Sequence, residues 1–301
     1  MRRFSICALL HLLFLLVVSL LFLQGCTRQV LQTYPASEQD IQLATSAFTR
    51  YKQIYQDDCV CCLDAEVDVA VSVSGWFSNH TGKLSGYLQA MDPGYIKFAA
   101  LNPLGQPIFI LLTNGNTFKS LNVSEGRAYS GSVNSETFKK FAPAGFDPDY
   151  SYYWLTGRLP PENIEILEVR RDKEQNGYWL QVRYGQSGVD NMILFDPEEF
   201  VILRHIIFSD RDDLLLDLVY EDYKPGYVGD KPLADSDQEM SGSTESIEVI
   251  CKIPTELSIT SSLDAEKKID LKLFSFLPDA EFSPDDFEIE IPDSFEQLIV
   301  N

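Results

Sequence analysis

Histidine and positive charge are what this chain has least of. Its 301 residues hold 3 histidines, and 24 lysines and arginines stand against 45 aspartates and glutamates. Nucleic-acid binding needs a basic face for the phosphates, so the charge excludes that class. His80 and His205 keep no ligand spacing to the cysteines, so no metal site is expected. The sequence has no Walker loop, no dinucleotide fingerprint and no His-Glu-x-x-His pair. Gly185-Gln186-Ser187-Gly188 begins like a nucleophile elbow, but Val189 stands where the second spaced glycine belongs, and a turn is the plainer reading. The carboxylate pairs Asp212-Asp213 and Asp285-Asp286 lie in solvated acidic runs with no histidine motif to divide acid from base. His205, inside the apolar run VILRHIIF, reads as a core or sheet-face residue. Neither catalysis nor a cofactor is expected, and no internal repeat is found.

Apolar residues are plentiful at 45%, enough for a sizeable core. Arg2 and Arg3 precede an apolar run from Ile6 to Leu23, then Gln24-Gly25-Cys26, which reads as an export signal. The run is long enough for an uncleaved membrane helix. The small residue before the cysteine resembles the lipobox of bacterial lipoproteins, and that reading is preferred. It makes residues 1–25 a signal peptide and Cys26 the lipidated first residue. Each buried CH₂ of the acyl chains would add roughly 0.8 kcal/mol of membrane attachment. Thr27, where aspartate is the usual inner-membrane retention signal, points to the outer membrane, with the folded domain facing the periplasm. Without the signal the net charge is −23, of which residues 196–301 carry −19. Such acidity repels anionic headgroups, so membrane contact is expected through the acyl anchor and apolar loops.

With Cys7 in the signal and Cys26 lipidated, Cys59, Cys61, Cys62 and Cys251 remain. An oxidising compartment favours disulfides among them. Cys61 and Cys62 are adjacent and form no ordinary bridge with each other, so Cys251 is expected to pair with Cys59, Cys61 or Cys62.

Residues 26–36 read as a tether and 37–301 as one domain. A helix is predicted from Ser37, with Asp40 completing a capping box and Ile41, Ala44, Phe48, Tyr51 and Tyr55 on one face. Val67, Val69, Val71 and Val73 then alternate with smaller or polar residues, the period of a strand. Strands are predicted at 83–91, 95–101, 107–113, 117–123 and 127–133, separated by Gly, Pro, Asn and Ser turns. Helical pieces at 134–141 and 149–156 come next. Further strands are predicted at 164–171, 177–184, 191–195, 200–209 and 214–223. An acidic loop at 224–246 precedes strand-like segments at 246–253, 256–261, 268–276 and 287–291. The turns are too tight for crossover helices, so the sheet should be antiparallel. The fold class is mainly β with helices (α+β): one curved antiparallel sheet wrapped round helices as a partly closed barrel.

One turn draws attention to itself. Asn102-Pro103-Leu104-Gly105 has the composition of a type I turn between two apolar runs. Leu104 then lies at the tip, where only something outside the domain can bury it. Pro107 lacks an N–H and loosens the pairing beside the turn.

Residues from about Gly75 to Tyr223 resemble the LolB-type outer-membrane lipoproteins, which receive lipoproteins from a periplasmic carrier and insert them into the outer membrane. Three places carry the resemblance: Tyr95 to Gly105, Tyr153-Trp154-Leu155-Thr156-Gly157-Arg158-Leu159-Pro160, and Asn176 to Tyr184. It implies a half-open antiparallel barrel whose apolar cavity is plugged by helices, and a protruding loop whose leucine, here Leu104, acts in membrane insertion. It also suggests Trp76, Leu88, Ile96, Phe98, Phe109, Leu111, Trp154 and Leu155 as the cavity lining. Implied partners are acylated lipoproteins or lipids and a LolA-like carrier. Two departures stand out: the chain extends beyond Tyr223, and Leu88 replaces a large aromatic. The extension would either complete the barrel or bind a separate partner. The alternative function is an envelope scaffold that uses the same fold.

Overall fold

The computed structural model describes residues 31–59, 62–74, 79–138, 147–174, 176–184, 190–209, 211, 213–228, 250–261, 267–277 and 280–300. The expected signal peptide and Cys26, together with Cys61, Trp76, the expected turn at 185–189 and most of the expected acidic loop, lie outside these residues. Tyr34–Asn301 forms one compact unit, grouped apart from Met1–Thr33.

The described strands are β1 (Thr33–Pro35), β2 (Cys62–Ser74), β3 (Asn79–Met91), β4 (Tyr95–Leu101), β5 (Pro107–Asn114), β6 (Thr117–Asn122), β7 (Arg127–Ser132), β8 (Ile164–Asp172), β9 (Tyr178–Tyr184), β10 (Asp190–Asp196), β11 (Val201–Phe208), β12 (Leu214–Val228), β13 (Ile250–Ser261), β14 (Lys267–Phe276) and β15 (Glu296–Val300). They form one open sheet in the order β1-β8-β9-β10-β11-β12-β13-β14-β2-β3-β4-β5-β6-β7-β15. Two antiparallel meanders, β8–β14 and β2–β7, join where β14 pairs with β2. The chain beyond Tyr223 therefore supplies the seam of the sheet.

Helix α1 (Glu38–Gln53) starts as its sequence predicts: the Ser37 side chain accepts from Asp40 N–H while the Asp40 carboxylate accepts from Ser37 N–H. Ala44, Ala47, Phe48 and Tyr51 bury its inner face against Leu180, Phe195, Ile202 and Leu218 of the first meander. Ile41 departs from the prediction and is 42% exposed. It sits in the first turn, and the inward stripe begins only at Ala44. Helix α2 (Ser151–Thr156) follows the turn Pro148–Tyr150 and ends on Gly157, whose φ of 64° is the left-handed cap that a glycine adopts without strain. Trp154 packs into the core beneath α1, while Tyr152 and Tyr153 pack into a second core over β2–β4 with Leu63, Val67, Leu88 and Ile96.

Other expectations change with the structure. Residues 133–137 are turns rather than the start of a helix, since Ser132 and Ser135 side chains take up nearby backbone N–H groups. The expected tether ends in β1, and residues 224–228 of the expected loop continue β12. The segments at 246–253 and 256–261 are one strand from Ile250, because Pro254 stays extended in register with Tyr223. Residues 287–291 are not a strand: Pro284–Phe287 is a short helical turn capped by Ser283 and Asp286. The last strand is β15, and it pairs with β7 in parallel, unlike the antiparallel ladders within the two meanders.

Candidate functional site

The β4–β5 hairpin is built round one side chain. Asn102 Oδ1 accepts from Leu104 N–H at 2.9 Å and from Gln106 N–H at 3.0 Å. The backbone closes the same loop, Gly105 N–H donating to Asn102 O at 2.9 Å and Asn102 N–H to Gln106 O at 2.8 Å. Gly105 has φ of 77°, so the turn is followed by a left-handed residue, the geometry of a short hairpin loop with a bulge. A separate irregularity lies below the turn, where Ala100 pairs with Phe109 and Leu101 with Pro107, leaving Ile108 as the extra residue on β5. Pro103, Leu104, Gly105, Gln106 and Pro107 are exposed, and Leu104 is 84% so. These four bonds fix the loop from within, which leaves an apolar side chain held out on a defined support.

Below the tip the face that packs against α2 is apolar. Register aligns Leu88, Phe98 and Leu111 across β3, β4 and β5, with Ala100 and Phe109 paired one row nearer the tip. Leu88 and Ile96 are buried, and Phe98, Phe109 and Leu111 are half-buried. Leu155 on α2 is half-buried against both cores, while Trp154 is buried in the first. The face thus grades from closed packing at Leu88 to part-open apolar side chains at Phe109, and ends at Leu104.

Cys59 and Cys251 are bonded, Sγ to Sγ 2.09 Å. This ties the end of α1 to β13, and Tyr55 Oη accepts from Lys252 N–H at 3.2 Å beside it. Cys62 is also disulfide-bonded, with its partner outside the described residues.

His205 is buried, as its apolar run predicted, with Nε2 3.2 Å from Tyr184 Oη. Burial pushes its pKa down to about 3, so the ring is neutral at ordinary pH. Asn191 and Tyr220 are buried on the same meander, and the sequence gives little sign of either, since each sits in a strand whose alternation alone marks it as inward. The basic residues Lys97, Lys119 and Arg127 were also missed. Their signal is their spacing along the β4–β7 meander opposite an acidic C-terminus, and the structure brings the two together. Lys97 Nζ donates to Asp286 O at 3.0 Å, Lys119 pairs with Glu288, and Arg127 Nε lies 3.0 Å from Glu296 Oε2.

No family profile matches the sequence, and no curated protein matches it. Among solved structures, a DUF1329 family protein from Desulfovibrio piger aligns with a TM-score of 0.51 at 10% identity, over 81% of this chain and 97% of that one. At that identity the likeness shows a common fold. A LolA superfamily protein from Nitrosomonas europaea has a TM-score of 0.48 at 12% identity, covering 82% and 97% of the two chains. A structure described as an outer membrane lipoprotein-sorting protein domain, from Vibrio parahaemolyticus, has 0.49 at 10%, covering 81% and 97%.

Proposed function

We propose that this chain is a lipid-anchored outer-membrane protein of the LolB type. It holds the acyl chains of lipoproteins or lipids against the apolar face below the tip and hands them to the bilayer through Leu104. The observation that carries this reading is the tip: a leucine 84% exposed on a loop whose hydrogen bonds are internally satisfied. Burying a leucine is worth roughly 1.5–3 kcal/mol. The isolated fold leaves that gain unused, and contact with a bilayer recovers it. The half-buried Phe98, Phe109 and Leu111 form an apolar path from the core to the tip, so an acyl chain can leave without full exposure to water. No bond is made or broken. Close packing round Leu88, Ile96 and Trp154 favours the second reading, a scaffold whose interior stays filled.

The test is transfer of a fluorescent acylated peptide from the full chain into liposomes. Leu104→Glu should bind the peptide normally and release it slowly, because a carboxylate entering the apolar phase carries a large desolvation penalty. Its melting temperature should match the wild type, since removing an exposed leucine opens no cavity. Wild-type transfer by the variant would leave the scaffold reading standing.

A further inference from the structure

A recess that shares no residue with the β4–β5 hairpin opens where β1 and the start of α1 meet the end of β8. It holds about 500 Å³, and its lining includes Tyr34, Asp40, Arg171, Asp172, Lys173 and Glu174. Two of its carboxylates are held from within. Tyr178 Oη donates to Asp40 Oδ1 at 2.7 Å, and Ser37 N–H to Asp40 Oδ2 at 3.0 Å. Trp179 Nε1–H donates to Asp172 Oδ1 at 2.7 Å, and Glu174 N–H to Asp172 Oδ2 at 2.8 Å. The cations are placed differently. Arg171 acts on Asp40 through charge without a hydrogen bond, and Lys173 lies over the Tyr34 ring, Nζ 4.8 Å from its centroid. Both are exposed, so the guanidinium fork and the ammonium keep donors for an outside acceptor.

Charge selects the kind of acceptor. Two cations against three carboxylates leave the recess with one negative charge, inside a molecule whose residues 26–301 carry −23. A purely anionic ligand would meet those carboxylates and the field of the whole molecule. A zwitterionic headgroup answers both signs: its phosphate suits the Arg171 fork and Lys173, and its ammonium suits the exposed Glu174. Position supplies the source of such a group. Cys26 precedes Tyr34 by eight residues, a reach of at most about 29 Å. An anchor at Cys26 therefore keeps this corner beside the bilayer, where the exposed amphipathic ring of Tyr34 suits the headgroup level. Tethering makes the contact intramolecular, at an effective concentration in the millimolar range, so even a weak contact is populated.

We propose that this recess seats a zwitterionic phosphoethanolamine headgroup of the membrane that holds the anchor, with Arg171 and Lys173 on the phosphate and Glu174 on the ammonium. The proposal rests on the lipid-anchored reading above. It adds a lipid preference and a resting orientation, with the β1–β8 edge of the sheet toward the membrane.

Hydrogen exchange read by mass spectrometry tests it on the full chain in vesicles of phosphatidylethanolamine and phosphatidylcholine, in vesicles of phosphatidylglycerol, and in amphipol. Amides of residues 33–34 and 171–174 should exchange about tenfold more slowly in the first than in the other two, the scale of one charge-assisted hydrogen bond. Arg171→Gln with Lys173→Gln should remove the difference, and these exposed substitutions should leave the urea midpoint near that of the wild type. Leu104→Glu should keep the difference, which separates this contact from that of the tip. A chain that floats with the vesicles yet shows no lipid-dependent protection overturns the proposal and leaves the anchor standing. Equal protection in phosphatidylglycerol, or protection that survives the double variant, marks a corner shielded by nearness alone and overturns it too. The same protection from inorganic phosphate in amphipol marks a free-anion site and refutes the membrane source. A chain whose mass shows no acyl groups on Cys26, and which does not float, removes the anchored reading and this proposal together.

Discussion

Asn102 and His205 show how much a single side chain decides here, and in opposite ways. Asn102 Oδ1 takes two backbone N–H groups that the exposed loop would otherwise leave to water. Asn102→Ala should cost about 1 kcal/mol in urea unfolding, the net worth of such bonds at an exposed site. It should also slow acyl transfer with Leu104 still in place, because the tip loses its support. His205 acts through pH. Its folded pKa of about 3 lies below the unfolded value near 6.5, so the unfolded chain binds the proton first. Its contribution is therefore fully present above about pH 6.5 and is lost as pH falls toward 3. His205→Phe should flatten the acid side of the stability profile in that window, read as urea midpoints from pH 7 to 4. An unchanged slope would mean that other groups govern the acid limb. Both roles were partly legible in the sequence. The turn composition marked Asn102, and the apolar run marked His205 as interior. The burial of Asn191 on the neighbouring strand was not legible, because it follows the masking alternation of an ordinary strand.

Among the elements, the C-terminal strap and the disulfide do what the local pattern could not announce. The strap leaves β14, turns at Pro284–Phe287, and reaches the far edge of the sheet as β15. Phe287 is its anchor, buried with Met91 and Cys62 and 5.3 Å from the Tyr95 ring centroid. The exposed pairs Lys119–Glu288 and Arg127–Glu296 add little by comparison, because solvent screens both. Phe287→Ala should thus cost about 3 kcal/mol, against a few tenths for Glu288→Gln, in thermal or urea unfolding. The Cys59–Cys251 bridge closes a separation of 192 residues. Replacing both cysteines with alanine should lower stability by about 2–5 kcal/mol. The two meanders were readable because alternation and turn residues are local signals, each strand meeting the next in sequence. β15 was not, since its partner β7 lies far back in the chain and parallel pairing leaves no hairpin signature. Ile41 failed for a related reason: periodicity shows which face of a helix is apolar, and only packing shows where along that face the core begins.

At the scale of the whole molecule, charge is what remains to be weighed. Residues 26–301 carry a net charge of −23, concentrated in residues 196–301, and those same residues supply β12 to β15 and thus the seam and one edge of the sheet. Two electrostatic effects therefore oppose each other. Self-repulsion within the acidic third favours expansion, whereas basic residues of the other meander hold that third through Lys97, Lys119 and Arg127. The ion pairs sit largely in solvent, where each is worth little and salt weakens it further. Repulsion among so many like charges acts at every spacing shorter than the Debye length, which shrinks from about 30 Å at 0.01 M salt to about 8 Å at 0.15 M. Screening should relieve more repulsion than attraction. The melting temperature of the full chain is therefore expected to rise as sodium chloride is raised from 0.01 to 0.3 M. Lys119→Gln with Arg127→Gln should steepen that rise, because those pairs are the part of the balance that salt removes. A melting temperature that falls with salt would reverse the ranking and make the ionic ties of the strap, rather than Phe287, its principal hold.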